Sequence, residues 1–146
     1  MEMKTSLAFP PNYEAIVNAF PAVAENKIAI FCYGDTIYNP FNRHISSDLM
    51  FHESIHYGQQ GDNPEVWWSY YLVNEEFRLE QELEAYGEQY AFVCRHITNN
   101  KIRKIMLFSM STALSSDTYG KMLSFNEAET LIKRYAKEKF SEGETQ

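Results

Sequence analysis

The sequence predicts an α+β fold in which a small antiparallel hairpin or sheet is followed by a helical body. Two observations support this prediction: a short apolar segment rich in β-forming residues, and several longer segments with helical spacing of apolar residues after it. With 146 residues, 45% of them apolar, the chain can form one domain with its own core. We expect a single domain over residues 1–140 and a polar tail over residues 141–146.

The strands are predicted by β-branched and aromatic residues that flank a turn. A short helix over residues 12–20 comes first and is stopped by Pro21. Residues 27–33 are mostly apolar, which is typical of a buried strand, and residues 36–38 predict a second strand. The Gly-Asp pair at residues 34–35 is typical of a turn, so the two strands are expected to form a hairpin.

The helical body is predicted from capping residues and apolar spacing. Residues 46–48 (Ser-Ser-Asp) offer helix N-caps, and Gly61 is a helix stop signal. Asn63 and Asn74 are the next N-caps, and a proline follows the first of them. The predicted helices cover residues 49–60, 65–72, 75–97, 102–115 and 125–139.

Charge and composition exclude several classes of function. The formal net charge is −7, and the densest basic segment, residues 101–104, is better explained as the start of a helix than as a nucleic-acid interface. Cys32 and Cys94 do not form a disulfide framework. The sequence also has no signal peptide and no run of 18 apolar residues, so we expect a soluble, cytoplasmic protein without nucleic-acid or membrane partners.

The motif with the clearest chemistry is His52-Glu53-Ser54-Ile55-His56 on the first long helix. Residues four positions apart share one helix face, so His52 and His56 can offer two imidazole nitrogens to one Zn²⁺ ion. Glu53 then lies beside the metal, where it can accept a proton from a water molecule. The motif predicts a zinc site with Glu53 as general base.

A catalytic zinc ion needs a third protein ligand, and the first candidate is Asp62. Asp62 lies six residues after His56, where an extended His-Glu-x-x-His pattern has its last ligand. That pattern requires a glycine at position 59, where this chain has Gln59. Asp62 is equally well explained as a loop residue.

The second candidate is Glu82 on the longest predicted helix. Glu82, Ala85, Tyr86 and Gln89 share one face of this helix, and the small Ala85 would allow close approach of the histidine-bearing helix. Arg78 lies one turn earlier on the same face and is expected to orient a carboxylate. We therefore predict Glu82 as the third ligand.

The combination of His-Glu-x-x-His with a later Glu-x-x-Ala resembles the gluzincin branch of the zinc metallopeptidases. Residues 28–95 are also similar to short metallopeptidase-like proteins encoded by bacteriophages. The resemblance implies a minimal zincin-like fold, Zn²⁺ held by His52, His56 and Glu82, and a peptide or protein substrate. Gluzincins have an aspartate four residues after the glutamate ligand to support a histidine, whereas this chain has Tyr86. Asp48, Gln59 or a backbone carbonyl is expected to support the histidines instead.

Further residues are candidates for contacts with the substrate. Tyr86, His96 and Tyr119 could stabilise an oxyanion, and Tyr119, before a glycine in a polar break between helices, is preferred. In the peptidases that the chain resembles, an edge strand pairs with the substrate, a role expected for residues 36–38. The remaining residues of interest are expected to be ordinary packing or polar residues: Trp67, Trp68 and His44.

Two other classes of function compete with a peptidase. One is a non-catalytic, zinc-stabilised structural or interaction module, such as a phage component. The other is an aromatic-rich binding domain without metal, which the 15% aromatic content would suit. The first rival predicts bound zinc without turnover, and the second predicts no zinc.

Overall fold

Most of the chain is helical because its longest segments combine helical apolar spacing with capping residues at their starts. The computed structural model describes residues 2–144, with side chains described for residues 2–139. The α-helices are α1 (Tyr13–Ala19), α2 (Ser47–Gln60), α3 (Pro64–Val73), α4 (Glu75–His96), α5 (Asn100–Leu114) and α6 (Phe125–Glu144). The strands are β1 (Lys4–Ser6), β2 (Phe31–Tyr33) and β3 (Thr36–Tyr38). The predicted α+β class with a helical body is confirmed.

The predicted hairpin is present, but it belongs to a sheet of three strands. β2 and β3 pair antiparallel around Gly34, whose φ of +61° suits a residue without a side chain. β2 is shorter than predicted and begins at Phe31 instead of residue 27. β1 pairs parallel with β3, so the strand order is β1-β3-β2. The prediction that residues 36–38 form an edge strand for a substrate is therefore wrong, because β1 already occupies that edge.

The predicted helix boundaries are largely confirmed, and the predicted caps of α3 and α4 act as expected, whereas Ser46 before α2 makes no side-chain capping hydrogen bond. The side chains of Asn63, Asn74 and Asn99 each accept a hydrogen bond from a backbone N–H in the first turn of α3, α4 and α5. The last helix begins at residue 125 as predicted. Ser124, paired reciprocally with Glu127, caps its start.

The carboxyl end of α6 differs from the prediction. The helix continues to Glu144, five residues beyond the expected end at residue 139, because no proline interrupts the predicted tail. Residues 145 and 146 of the tail lie outside the described residues. Among the helices that the structure describes, none has both the length and the apolar character needed to cross a membrane.

Two apolar clusters flank the region where α2 packs along α4. The first joins α1, a 3₁₀ turn over Pro21–Glu25, β2 and α3, and it contains the buried Trp67 and Trp68. The second joins α4, α5 and α6 around Leu114 and Ile132, both fully buried. Between them α2 and α4 bury mostly polar side chains, and Ala85 is fully buried on α4 as the predicted close approach requires.

Candidate metal centre

Three side chains that could hold a metal ion meet between α2 and α4. His52 and His56 lie on one face of α2, and Glu82 approaches them from α4. The Oε1 atom of Glu82 lies 3.5 Å from Nε2 of His52 and 3.3 Å from Nε2 of His56. All three ligand atoms lie within 4.8 Å of one another, and all three residues are buried. The structure brings together the three residues predicted as ligands.

A glutamine fixes the orientation of the His56 ring. Nε2 of Gln59 donates to the backbone carbonyl of Gln81 and to the carboxylate of Glu84, both at 2.9 Å. The amide oxygen of Gln59 consequently faces Nδ1 of His56 at 2.8 Å. An amide oxygen only accepts hydrogen bonds, so Nδ1 of His56 carries a proton. Gln59, one of the three groups predicted to support the histidines, therefore supports His56.

A second glutamine does the same for His52. Nε2 of Gln89 donates to Oδ2 of Asp48 at 2.8 Å, and the amide oxygen of Gln89 faces Nδ1 of His52 at 2.9 Å. Nδ1 of His52 is therefore also protonated, and Asp48 supports the ring through Gln89 instead of directly. In the neutral form both imidazoles direct the Nε2 lone pair toward Glu82.

The carboxylate of Glu82 is satisfied on one side only. The hydroxyl of Tyr71 donates to Oε2 of Glu82 at 2.5 Å, whereas Oε1 has no hydrogen-bond partner among the described residues although it is buried. Two imidazole lone pairs and a carboxylate oxygen thus converge without a donor between them. Such an arrangement is repulsive unless a proton or a metal cation lies among the three atoms.

The separations of these atoms fit a metal ion. Ligand atoms bonded at about 2.1 Å to a tetrahedral metal ion stand about 3.4 Å apart. The two distances from Oε1 of Glu82 to the histidine nitrogens, 3.3 Å and 3.5 Å, are close to this value. The cluster could hold a metal ion.

The electrostatics of the metal-free site also favour a positive charge between the ligands. Burial alone would lower the pKa of His56, but the charge of Glu82, and the hydrogen bond that Nε2 can donate to it once protonated, outweigh burial and raise the pKa to about 9. Burial alone would raise the pKa of Glu82, but the neighbouring His56 and His52 outweigh it and hold the pKa well below its usual range. A metal ion would replace a proton that the site otherwise attracts.

Glu53 lies next to the ligands without being one of them. The side chain is buried, and it has no hydrogen-bond partner among the described residues. Burial raises the pKa of Glu53, an effect that the charges of His52 and His56 only partly offset. A carboxylate with a raised pKa and no competing donor is suited to accept a proton.

The three ligands and Glu53 line a cavity of about 600 Å³ that opens to solvent. Part of its wall is formed by residues 28–32 and another part by α5, where Ile105 and Phe108 are 60% and 61% exposed. Trp67 and Trp68 also line it, but both are buried in the first apolar cluster, as the packing interpretation predicted. The cavity is large enough for a short stretch of a peptide or another organic molecule.

Two of the predicted substrate-contacting tyrosines lie together in this cavity. The hydroxyls of Tyr86 and Tyr119 are 2.7 Å apart, and the Tyr86 ring packs edge-on against His52 with centroids 4.4 Å apart. Burial, followed by the charge of Glu82, raises the pKa of both tyrosines, so they act as hydrogen-bond donors. Tyr119 lies in a 3₁₀ turn over Asp117–Tyr119 and is half-buried, not a surface residue.

Arg78 does not orient a carboxylate as predicted. Its Nη1 donates to the backbone carbonyl of Tyr71 at 2.8 Å, and its Nε donates to the backbone carbonyl of Tyr119 at 3.0 Å. The guanidinium also lies 4.7 Å from the ring centre of Phe20. Arg78 instead connects the end of α3, which carries Tyr71, with the segment of Tyr119, because these backbone carbonyls lie nearer to its guanidinium than the carboxylate of Glu82 does.

Three other candidates lie away from the site. Asp62 is exposed after the end of α2 and is not part of the ligand cluster. His96 is exposed and donates through Nδ1 to the backbone carbonyl of Phe92 at 2.9 Å, so it is not an oxyanion donor. His44 is exposed, as its interpretation as an ordinary polar residue predicted.

Sequence reasoning missed the role of Tyr71 and left that of Gln89 undefined. Tyr71 reaches Glu82 from α3, a contact between two helices that no sequence spacing reveals. Gln89 was visible as a residue on the same face of α4 as Glu82. Gln89 lies two helical turns after Glu82, and this spacing could have indicated that it supports a histidine.

The chain matches no protein-family model, and it is not detectably similar to any curated protein or solved structure. The chemistry of the centre is therefore argued from its own geometry. That geometry consists of a buried cluster able to hold a metal ion, a neighbouring carboxylate and an open cavity.

Proposed function

We propose that the protein is a zinc-dependent metallopeptidase that hydrolyses peptide bonds. The observation that supports this best is the convergence of His52, His56 and Glu82 on one point beside an unpartnered Glu53 in an open cavity. A purely structural polar cluster would have no need of a carboxylate that faces the cavity without a hydrogen-bond partner.

Zinc is the metal that suits this set of donors best. Two imidazoles and one carboxylate are a known ligand set of catalytic zinc sites, and three protein ligands leave a fourth position for water or substrate. Magnesium and calcium prefer sites built mainly from oxygen ligands. The glutamines behind both histidines are the kind of support that keeps metal-binding imidazoles neutral at Nε2.

The residues of the chain then have distinct roles in the reaction. A bound zinc ion would supply Lewis-acid polarisation of the substrate carbonyl and lower the pKa of a water molecule. Glu53 accepts the proton of the attacking water and delivers it to the leaving nitrogen. Tyr119, held by Tyr86, donates to the developing oxyanion, for which its raised pKa and position in the cavity are suitable.

The substrate backbone would lie along the wall formed by residues 28–31. This segment leads into β2, which is an edge strand, and it lines the cavity. An extended peptide beside it would pass Glu53. Unlike the central β3, this segment has no strand paired on its outer side among the described residues.

Zinc content is the first test. The untagged protein is expected to carry one zinc ion per chain by elemental analysis after equilibration with zinc at neutral pH. Glu82→Ala should reduce this content strongly, because only two ligands remain. Asp62→Ala, the matched removal of an exposed carboxylate, should leave it unchanged. Absence of zinc from the wild-type protein would refute the proposal.

Turnover separates a peptidase from a zinc-stabilised module. Cleavage of a mixed peptide library, followed by mass spectrometry, is expected for the wild-type protein. Glu53→Gln should lower the rate by at least about 100-fold, since it removes the general base while zinc content and folding stay the same. Stoichiometric zinc without any cleavage would favour the non-catalytic module instead.

A further inference from the structure

Arg43 stands out among the residues of the cavity wall. Of the described residues that line the cavity, it is the only lysine or arginine, and the acidic ones are Glu53 and Glu82. No described residue forms an ion pair with its guanidinium. In a chain with a net charge of −7, this cation has no carboxylate within ion-pair distance among the described residues, although its charge acts to lower the pKa of Glu53.

The position of Arg43 is fixed from two directions. Its backbone N–H donates to Oδ1 of Asn39 at 3.1 Å, and its carbonyl accepts from Nδ2 of the same buried asparagine at 2.9 Å. Its side chain donates from Nε to the carbonyl of His44 and from Nη1 to the carbonyl of Ile28, both at 3.2 Å. Every one of these partners is neutral, so they orient the guanidinium without cancelling its charge.

Three N–H groups of the Arg43 guanidinium have no acceptor among the described residues. Of its five N–H groups, the two carbonyl contacts use two, which leaves one on Nη1 and both on Nη2. Adjacent N–H groups of a guanidinium match the two oxygens of a carboxylate. Because the contact with Ile28 places Arg43 at the wall along which the substrate backbone is proposed to lie, these donors are available to a bound peptide.

We infer that Arg43 is a substrate-binding residue that pairs with a carboxylate group of the peptide, an inference that rests on the proposed peptidase function. The carboxylate could belong to the carboxyl terminus of the substrate or to an aspartate or glutamate side chain. In the first case the protein trims peptides from their carboxyl end, and in the second it selects acidic sites within a chain.

Binding of short fluorescent peptides to the zinc-loaded Glu53→Gln protein tests this inference without turnover. Four peptides share one sequence: one with a free terminal carboxylate, one with a terminal amide, and two amidated forms that carry glutamate or glutamine at the same internal position. Fluorescence anisotropy gives the Kd of each. Preference for the free terminus over its amide identifies the first source of the carboxylate, and preference for glutamate over glutamine identifies the second.

Adding Arg43→Met should weaken binding of the preferred carboxylate peptide about 10- to 100-fold and change binding of the neutral peptides less than about twofold. Arg95→Met removes the same charge from an exposed position outside the cavity and should change neither. Arg43→Lys keeps the charge but loses the paired donors, so we expect it to weaken carboxylate binding by less than Arg43→Met. Zinc content and thermal unfolding should match the parent protein in every variant used.

Unchanged discrimination in Arg43→Met, or in Arg43→Lys if the methionine variant does not fold, would overturn the role of Arg43 and leave the proposed peptidase intact. Equal binding of charged and neutral peptides by the parent would do the same. Absence of binding by all four peptides would count against peptide recognition at this cavity altogether, and therefore against both proposals.

Discussion

The two sides of α4 are stabilised in different ways. Toward α2 the helix buries polar groups, of which Glu82 and Gln89 contact the two histidines. Toward α6 it is mainly apolar, apart from the contacts of Glu88 with Tyr135 and Lys139, and so close that a Cβ atom at Gly87 would lie 2.2 Å from Cδ1 of Tyr135. The apolar interface with α5 and α6, which contains Val93 and Ile132, requires no ion from solution for its stability. The polar interface has convergent acceptors that could hold a metal ion.

Because of this difference, one side of α4 contributes mainly to the stability of the fold, and the other side carries the groups of the candidate site. Burial of apolar surface stabilises the α4–α6 side at any pH and metal concentration. The α2–α4 side buries a carboxylate and two imidazoles, whose desolvation is costly unless a positive charge compensates it. We therefore expect substitutions on the two sides to respond differently to zinc and to pH.

The largest effect is expected on the apolar side. Ile132→Ala should lower the free energy of unfolding by about 2–5 kcal/mol, because Ile132 is fully buried and its removal leaves a cavity. The loss should be the same with zinc and with a chelator, as measured by urea unfolding. Ile105→Ala makes the same change at a residue that is 60% exposed and should change stability by about 0.5 kcal/mol or less. A zinc-dependent loss in Ile132→Ala would break the comparison.

The next effect is expected on the polar side and requires zinc. At a free zinc concentration about 100 times the Kd, binding should raise the free energy of unfolding by about 2.7 kcal/mol relative to the chelated protein. Glu82→Ala should lose most of this gain, because it lacks the carboxylate ligand. Asp62→Ala should keep it. Equal stabilisation of both variants by zinc would mean that the metal binds elsewhere.

A smaller effect, on zinc affinity, is expected for the residues that hydrogen-bond to the histidines. Gln89→Met removes the acceptor that fixes the His52 ring and should weaken zinc binding about 10- to 100-fold, measured by competition with a chromogenic chelator. Gln81→Met makes the same substitution on α4 at a side chain that bonds Trp67 instead of a ligand. Its zinc affinity should stay within about twofold of the wild-type value. Similar losses in both variants would indicate a general disturbance of α4.

Features of the fold and the site that depend on local spacing could be predicted from the sequence, whereas features that depend on the packing of distant segments could not. His52 and His56 share a helix face by spacing alone, and asparagine caps set the starts of α3, α4 and α5, so these features follow from local rules. Glu82 was predicted from its helix face and from a resemblance. The contact from Tyr71 and the position of β1 depend on the packing of distant segments, which no local pattern encodes. Arg78 was placed on the correct face but given the wrong partner, because the nearest backbone carbonyls cannot be read from a sequence.

The last prediction concerns pH in the metal-free protein. Although burial alone would lower it, the pKa of His56 is raised by Glu82 from an ordinary value of 6.5 to about 9. The protonated ring therefore contributes stability that is fully present below pH 6.5 and is lost as the pH rises through about 9. Chelated wild-type protein should lose about 2–3 kcal/mol over this interval in urea unfolding. The loss should be smaller in Glu82→Gln, which has no carboxylate to raise the pKa.

Zinc should reverse the direction of this dependence. A metal ion competes with the proton on Nε2 of His56, so its affinity increases as the pH rises from 6.5 toward 9. The stabilisation by a fixed zinc concentration should therefore grow over the interval in which the chelated protein becomes less stable. Parallel curves with and without zinc would show that proton and metal do not share the site, and the polar side of α4 would then need another source of compensation.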